Sequence, residues 1–117
     1  MKTNLRLMAP VRTTKAKSVV ILTSYGRDAL LDRAIRSVLT QSDEDLILLI
    51  VDDNSPTINK KTHKIIHRHT SDKRVIFFNA ETNDVDRKKV STFTRNINFM
   101  LRYAKDHLRV KYVSYIP

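Results

Sequence analysis

A chain of 117 residues, 41% apolar and 29% charged, suits one compact folded domain and lies far from the composition of disordered chains. Cysteine is absent, which excludes a disulfide framework, a thiolate metal site and a thiol nucleophile, and fits a reducing, cytoplasmic location. The formal charge of +10 raises the question of a polyanion partner, and its distribution along the chain bears on the answer.

Residues 1–17 carry Lys2, Arg6, Arg12, Lys15 and Lys17 and no acid, so much of the positive charge sits in a segment without periodicity, interrupted by Pro10. The expectation is a basic, flexible tail ahead of the folded part, either solvated or used for docking. Ser18 to Thr23 is a β-branched apolar run ending near Gly26, the pattern of a strand buried on both faces. Asp28 can cap a helix in which Leu30, Leu31, Ala34, Ile35, Val38 and Leu39 recur on one face, ending near Gln41. Leu46 to Val51 gives a second buried strand, stopped by Asp52-Asp53-Asn54-Ser55-Pro56. This is the longest apolar run, far short of the ~20 residues that cross a bilayer, and no apolar secretory core precedes it.

Thr57 to Thr70 is expected to form a second helix with Ile58, Ile65 and Ile66 inward, and Arg74 to Phe78 a third strand. Asn79 to Lys89 reads as a loop. Phe93, Ile97, Met100, Leu101, Ala104 and Leu108 then mark a third amphipathic helix, and Val110 to Ile116 a fourth strand. Strict alternation of strand and helix predicts an α/β, Rossmann-like fold, a parallel sheet covered by helices on both faces, with 3-2-1-4 as the strand order expected of the Rossmann class. The fourth strand is expected at an edge open to self-association.

In such a sheet ligands gather beyond the carboxyl ends of the strands. The candidates there are Thr23, Ser24, Tyr25, Gly26 and Arg27 after the first strand, Asp52 and Asp53 after the second, and Asp84, Asp86, Arg87, Lys88 and Lys89 after the third. They offer an aromatic face for a base, carboxylates to accept from ring and ribose, and cations for a diphosphate. A single glycine excludes both the Gly-x-Gly-x-x-Gly turn and the glycine-rich P-loop, leaving a nucleotide held by side chains.

Each candidate also has a plainer reading. Asp52 to Ser55 can be a turn and helix cap, Tyr25 a packing residue, Arg87 to Lys89 a solvated charge cluster, and Asn96 a cap or a packing residue. His63 and His67 share a helical face at i, i+4, but with no third ligand of suitable spacing a solvated helix is the expectation.

Ser18-Val-Val-Ile-Leu-Thr-Ser-Tyr25, Leu30-Leu-x-x-Ala34-Ile-x-Ser-Val-Leu-x-Gln41, Leu49-Ile-Val-Asp-Asp-Asn-Ser55 and Thr94-Arg-Asn96 together resemble glycosyltransferase family 2, which has the GT-A fold. Within that family, Leu22-Thr-Ser-Tyr25 and Asp52-Asp53-Asn54-Ser55 are similar to the spore-coat polysaccharide transferases. The resemblance implies an inverting, metal-dependent transferase that moves a sugar from a UDP- or dTDP-sugar to an acceptor hydroxyl, in cell-surface or spore-coat polysaccharide synthesis. It implies that Thr23 and Tyr25 flank the base. Asp53, or less favourably Asp52, would accept from the uracil or thymine ring, and Arg87 or Lys88 would reach the nucleotide.

Gly26 stands where family members often have Asn, a mild departure because both residues tolerate left-handed backbone. The family's Asp-x-Asp motif, the source of ligands for Mg²⁺ or Mn²⁺, would follow the fourth strand, beyond Pro117. Residues 18–117 are therefore expected to be the nucleotide-sugar-binding N-terminal half of a GT-A domain, inactive alone, with the general base and metal ligands elsewhere and spore association in prospect. The rival from another class is a basic α/β module that binds nucleic acid or an acidic polymer through the tail and Arg95, Arg102, Lys105, Arg109 and Lys111. Few aromatics accompany those cations and no nucleic-acid motif is present, so no specific nucleic-acid partner is expected.

Overall fold

A computed structural model describes residues 6–7, 17–24, 28–41, 45–52, 60–79, 92–108 and 110–116. In chain order the elements are β1 (Arg6–Leu7), β2 (Ser18–Ser24), α1 (Asp28–Leu39), β3 (Leu46–Asp52), α2 (Lys60–His67), β4 (Val75–Asn79), α3 (Thr92–Tyr103) and β5 (Tyr112–Ile116). One sheet joins the strands in the order β1-β4-β3-β2-β5. The pairs β2–β3, β3–β4 and β2–β5 are all parallel. The four strands anticipated from the apolar runs thus form an α/β, Rossmann-like parallel sheet with the order 3-2-1-4.

Alternation along the strands sorts the core into two layers. Val20 and Leu22 of β2, Leu46, Leu48 and Ile50 of β3, and Val75 and Phe77 of β4 pack with Leu31, Ile35 and Val38 of α1 and Ile65 and Ile66 of α2. The intervening residues Val19, Ile21, Ile47, Leu49, Val51, Ile76 and Phe78 face the other way, onto Met100, Ala104 and Leu108. Helices on both faces explain why β3 and β4 are buried along their whole lengths and read as unbroken apolar runs.

The helix ends differ from the sequence expectation in instructive ways. At α1, Arg74 donates to the main-chain oxygens of Leu39 at 2.8 Å and Gln41 at 3.2 Å, satisfying carbonyls that the last turn leaves open. The second helix is shorter at its end than expected: after His67 the bonds tighten to i→i−3, from His69 N–H to Ile66 at 2.9 Å and from Thr70 N–H to His67 at 3.4 Å. Ile58 lies outside the described residues. The third helix continues as a π-turn over Ala104–Leu108, which returns Leu108 to the core.

Two expectations need correction. Leu30 and Leu101, assigned to apolar helix faces by spacing, are exposed. His63, expected on a solvated helix, is buried together with Thr62. Within residues 1–17, Arg6–Leu7 pairs antiparallel with Asn79 and Phe78 of β4. As anticipated, β5 is an outer strand, and Tyr112, Val113 and Tyr115 are exposed on it. Among the described residues no helix is long and apolar enough to cross a membrane.

Candidate functional site

The parallel register lines up the carboxyl ends of three strands: Ser24 pairs with Asp52, and Asp52 with Asn79. Asp52 and Asn79 follow the alternation of Leu48, Ile50 and Phe77, which puts both on the α1/α2 side of the sheet. Asp52 is 0% exposed, Asn79 0% and His63, on α2, only 5%. A buried carboxylate must find donors. Asp52 Oδ2 lies 2.8 Å from His63 Nε2, and Asn79 Nδ2 donates to the main-chain oxygen of Asp52 at 3.3 Å.

The same Nε2 is 3.1 Å from Asn79 Nδ2. One ring nitrogen cannot both donate to a carboxylate and accept from an amide, and an ionised carboxylate only accepts. The assignment that satisfies Asp52 puts a proton on Nε2, with the Asn79 amide donating to the Asp52 carbonyl. Phe77 stands edge-on to both the His63 ring, at 5.1 Å, and the His67 ring, at 5.6 Å, and so limits rotation of the imidazoles.

Thr23 belongs to the other face, with Val19 and Ile21. Its hydroxyl is 3.3 Å from the Tyr115 hydroxyl of β5. Thr23 and Asp52 therefore end their strands on opposite sides of the sheet, and Thr23 pairs in register with Val51. Ser24 is placed by its backbone in the Asp52 row. Tyr25, Arg27, Asp53, Arg87 and Lys88 lie outside the described residues. Sequence reasoning did not pick out His63, Asn79 or Tyr115 for the site. The one available signal was the spacing of His63 three residues before Ile66, on a helix face already assigned to the core.

A second histidine–carboxylate pair ties the turn after α2 to α1: His69 Nε2 is 2.8 Å from Asp32 Oδ1, and Arg36 reaches Asp32 Oδ2 at 2.9 Å. The hydrogen bond from His69, and secondarily the Arg36 charge, hold the Asp32 carboxyl below its ordinary value despite partial burial. Arg74 does the same for Asp72, by a side-chain bond of 2.8 Å. Of the cations proposed for a polyanion surface, Arg102, Lys105 and Lys111 are exposed, Arg95 is half-buried, and Arg109 lies outside the described residues.

The model of the family described as "Glycosyl transferase family 2" matches residues 19–113, the span from β2 into β5. The chain belongs to glycosyl transferase family 2. A relative, "Protein CgeD" of Bacillus subtilis (strain 168), is 34% identical over 100 residues, 86% of this chain and 22% of the relative. The chain thus spans less than a quarter of the length of that curated relative. The family 2 match includes the β2 and β3 carboxyl ends, so Thr23, Ser24, Asp52 and Asp53 all fall within it. Family 2 membership raises the question of a divalent metal. Among the described residues no three His, Asp or Glu side chains come together, and the Asp52 carboxylate is engaged by His63. The described residues do not fit a Mg²⁺ or Mn²⁺ site.

Proposed function

We propose that this chain forms the donor end of a glycosyltransferase, holding the nucleotide of a UDP- or dTDP-sugar beyond the carboxyl ends of β2 and β3. The observation that carries this reading is the family match across residues 19–113. Support comes from the fold, because an open parallel sheet receives ligands at that edge. The base lies between Thr23 and Tyr25. Burial of Asp52 against His63 favours its neighbour Asp53 as the carboxylate that accepts from the pyrimidine N3–H, with Arg87 or Lys88 toward the diphosphate. Ser24 and Arg27 complete the polar rim. The longer enzyme transfers the sugar with inversion to a hydroxyl of a cell-surface or spore-coat polysaccharide, as residues 22–25 and 52–55 suggest by their resemblance to such transferases.

The test is an amide chemical-shift titration of the chain with UDP, dTDP, ADP and GDP. The expected outcome is weak, pyrimidine-selective binding, with a dissociation constant of order 1 mM, about −4 kcal/mol. Shifts should concentrate at Thr23, Tyr25 and Asp53. Equal response to all four nucleotides, or no response in those segments, overturns the reading.

A further inference from the structure

We propose that His63 is a positioning residue for the donor site. By holding the Asp52 carboxylate against α2, it fixes the main chain at the last residue of β3, from which Asp53 continues into the pyrimidine-reading position. This rests on the donor-site reading above. It goes beyond that reading by assigning the precision of the site to a buried pair that does not itself touch the nucleotide.

Four observations converge on it. First, the Asp52 carboxylate is removed from water and takes a 2.8 Å contact from His63 Nε2. Second, the Asp52 carbonyl is bonded by the Asn79 side chain at 3.3 Å, so main chain and side chain of one residue are gripped from β4 and α2 together. Third, the imidazole itself is constrained by Phe77 at 5.1 Å, two residues before Asn79 on the same strand face. Fourth, all this lies at the row where Ser24, Asp52 and Asn79 end their strands, one residue from Asp53.

Stability alone gives a poor account of such a cluster, because well-packed apolar side chains of the same shape usually serve as well as or better than a buried hydrogen-bonded pair. What the polar cluster adds is direction. Each bond has one geometry, whereas an apolar contact would let the end of β3 settle over a range of positions. Sites of this kind lose binding steeply when their support loosens.

The experiment compares His63→Leu, His63→Gln and wild type in UDP or dTDP titration and in thermal unfolding, with binding read well below each melting temperature. Gln keeps an N–H able to reach Asp52, and Leu does not. A positioning role predicts that His63→Leu weakens pyrimidine nucleotide binding by roughly tenfold or more while the molecule remains folded. His63→Gln should restore binding to within about threefold of wild type, with the Asp53 amide resonance returning toward its wild-type position. If His63→Leu does not fold, His63→Asn, polar but too short to reach Asp52, takes its place in the comparison. A variant that loses melting temperature yet binds as wild type shows a purely structural histidine and overturns the proposal. Absence of nucleotide binding in wild type would instead strike the donor-site reading, so the two failures are distinct.

Discussion

Two histidine–carboxylate pairs anchor α2 and the turn that follows it, each at 2.8 Å, and the bond length is where their likeness ends. His63 and Asp52 have side chains 6% and 0% exposed, at the carboxyl edge of the sheet, whereas His69 and Asp32 are 16% and 25% exposed, between two helices. Solvent decides what each pair is worth. A partner lost from the buried pair leaves a polar group short of a hydrogen bond where water does not reach it, and a partner lost from the outer pair can be replaced by water. Equal geometry therefore predicts unequal consequences, and each pair can be broken to see whether it does.

The largest effect is expected at the buried pair: His63→Leu should cost about 3 kcal/mol or more in urea unfolding, because a buried carboxylate deprived of a donor loses more than a neutral polar group does. A loss below about 1 kcal/mol would mean that water or another donor reaches Asp52 in the variant and that the cluster is not closed.

Arg74→Ala is expected to fall between the pairs. It removes both the bonds to the Leu39 and Gln41 carbonyls and the partner of Asp72, for a loss of about 1.5–3 kcal/mol. The loss should depend on pH in a defined direction. Asp72 has a folded-state pKa below its ordinary value, chiefly through the hydrogen bond from Arg74. Its contribution is thus fully present above the unfolded carboxylate value and fades as pH falls through the folded one. The gap between wild type and Arg74→Ala should accordingly be widest near neutrality and narrow below about pH 4, measured by denaturant midpoints across that range. A gap that widens toward acid would contradict the assignment.

The smallest effect belongs to the outer pair. His69→Ala should cost under about 1 kcal/mol, because water can reach this partly exposed pair and take the place of the lost partner. If it destabilises as much as His63→Leu, burial is not what separates the two pairs.

The same contrast explains how much the sequence could reveal. Strands β2, β3 and β4 were legible because continuous apolar runs bounded by turn residues have few alternatives when strands alternate with helices, and β5 was legible from its β-branched and aromatic residues after the third helix. The alternation fixed their parallel direction and the Rossmann-like class, and the order of the four strands is the one usual for that class. Leu30 was misplaced because helical spacing admits it to the same broad stripe as Leu31 and Ala34, and only packing against the sheet shows where the stripe ends. Arg6–Leu7 was invisible because two residues have no period, and the β4 edge they pair with is distant in sequence.

In the site, Asp52-Asp53 announced a polar strand end, but which carboxylate turns inward depends on β3 continuing to Asp52. His63 drew attention for its spacing to His67, a metal pattern, when the telling neighbour was Asp52, 11 residues earlier and joined to it only through the fold. Asn79, read as the first loop residue, is the last residue of β4 and completes the cluster.

The central claim is that a pyrimidine nucleotide is read beside the buried Asp52, by Asp53. Its most direct test is an amide chemical-shift titration of Asp53→Ala beside wild type with UDP and dTDP, under conditions where both are folded. Loss of a charged acceptor worth about 1.5–3 kcal/mol should take a dissociation constant near 1 mM out of the measurable range, so wild type should shift at Thr23 and Tyr25 and Asp53→Ala should not. Wild-type binding in Asp53→Ala, with the same residues shifting, would contradict the account.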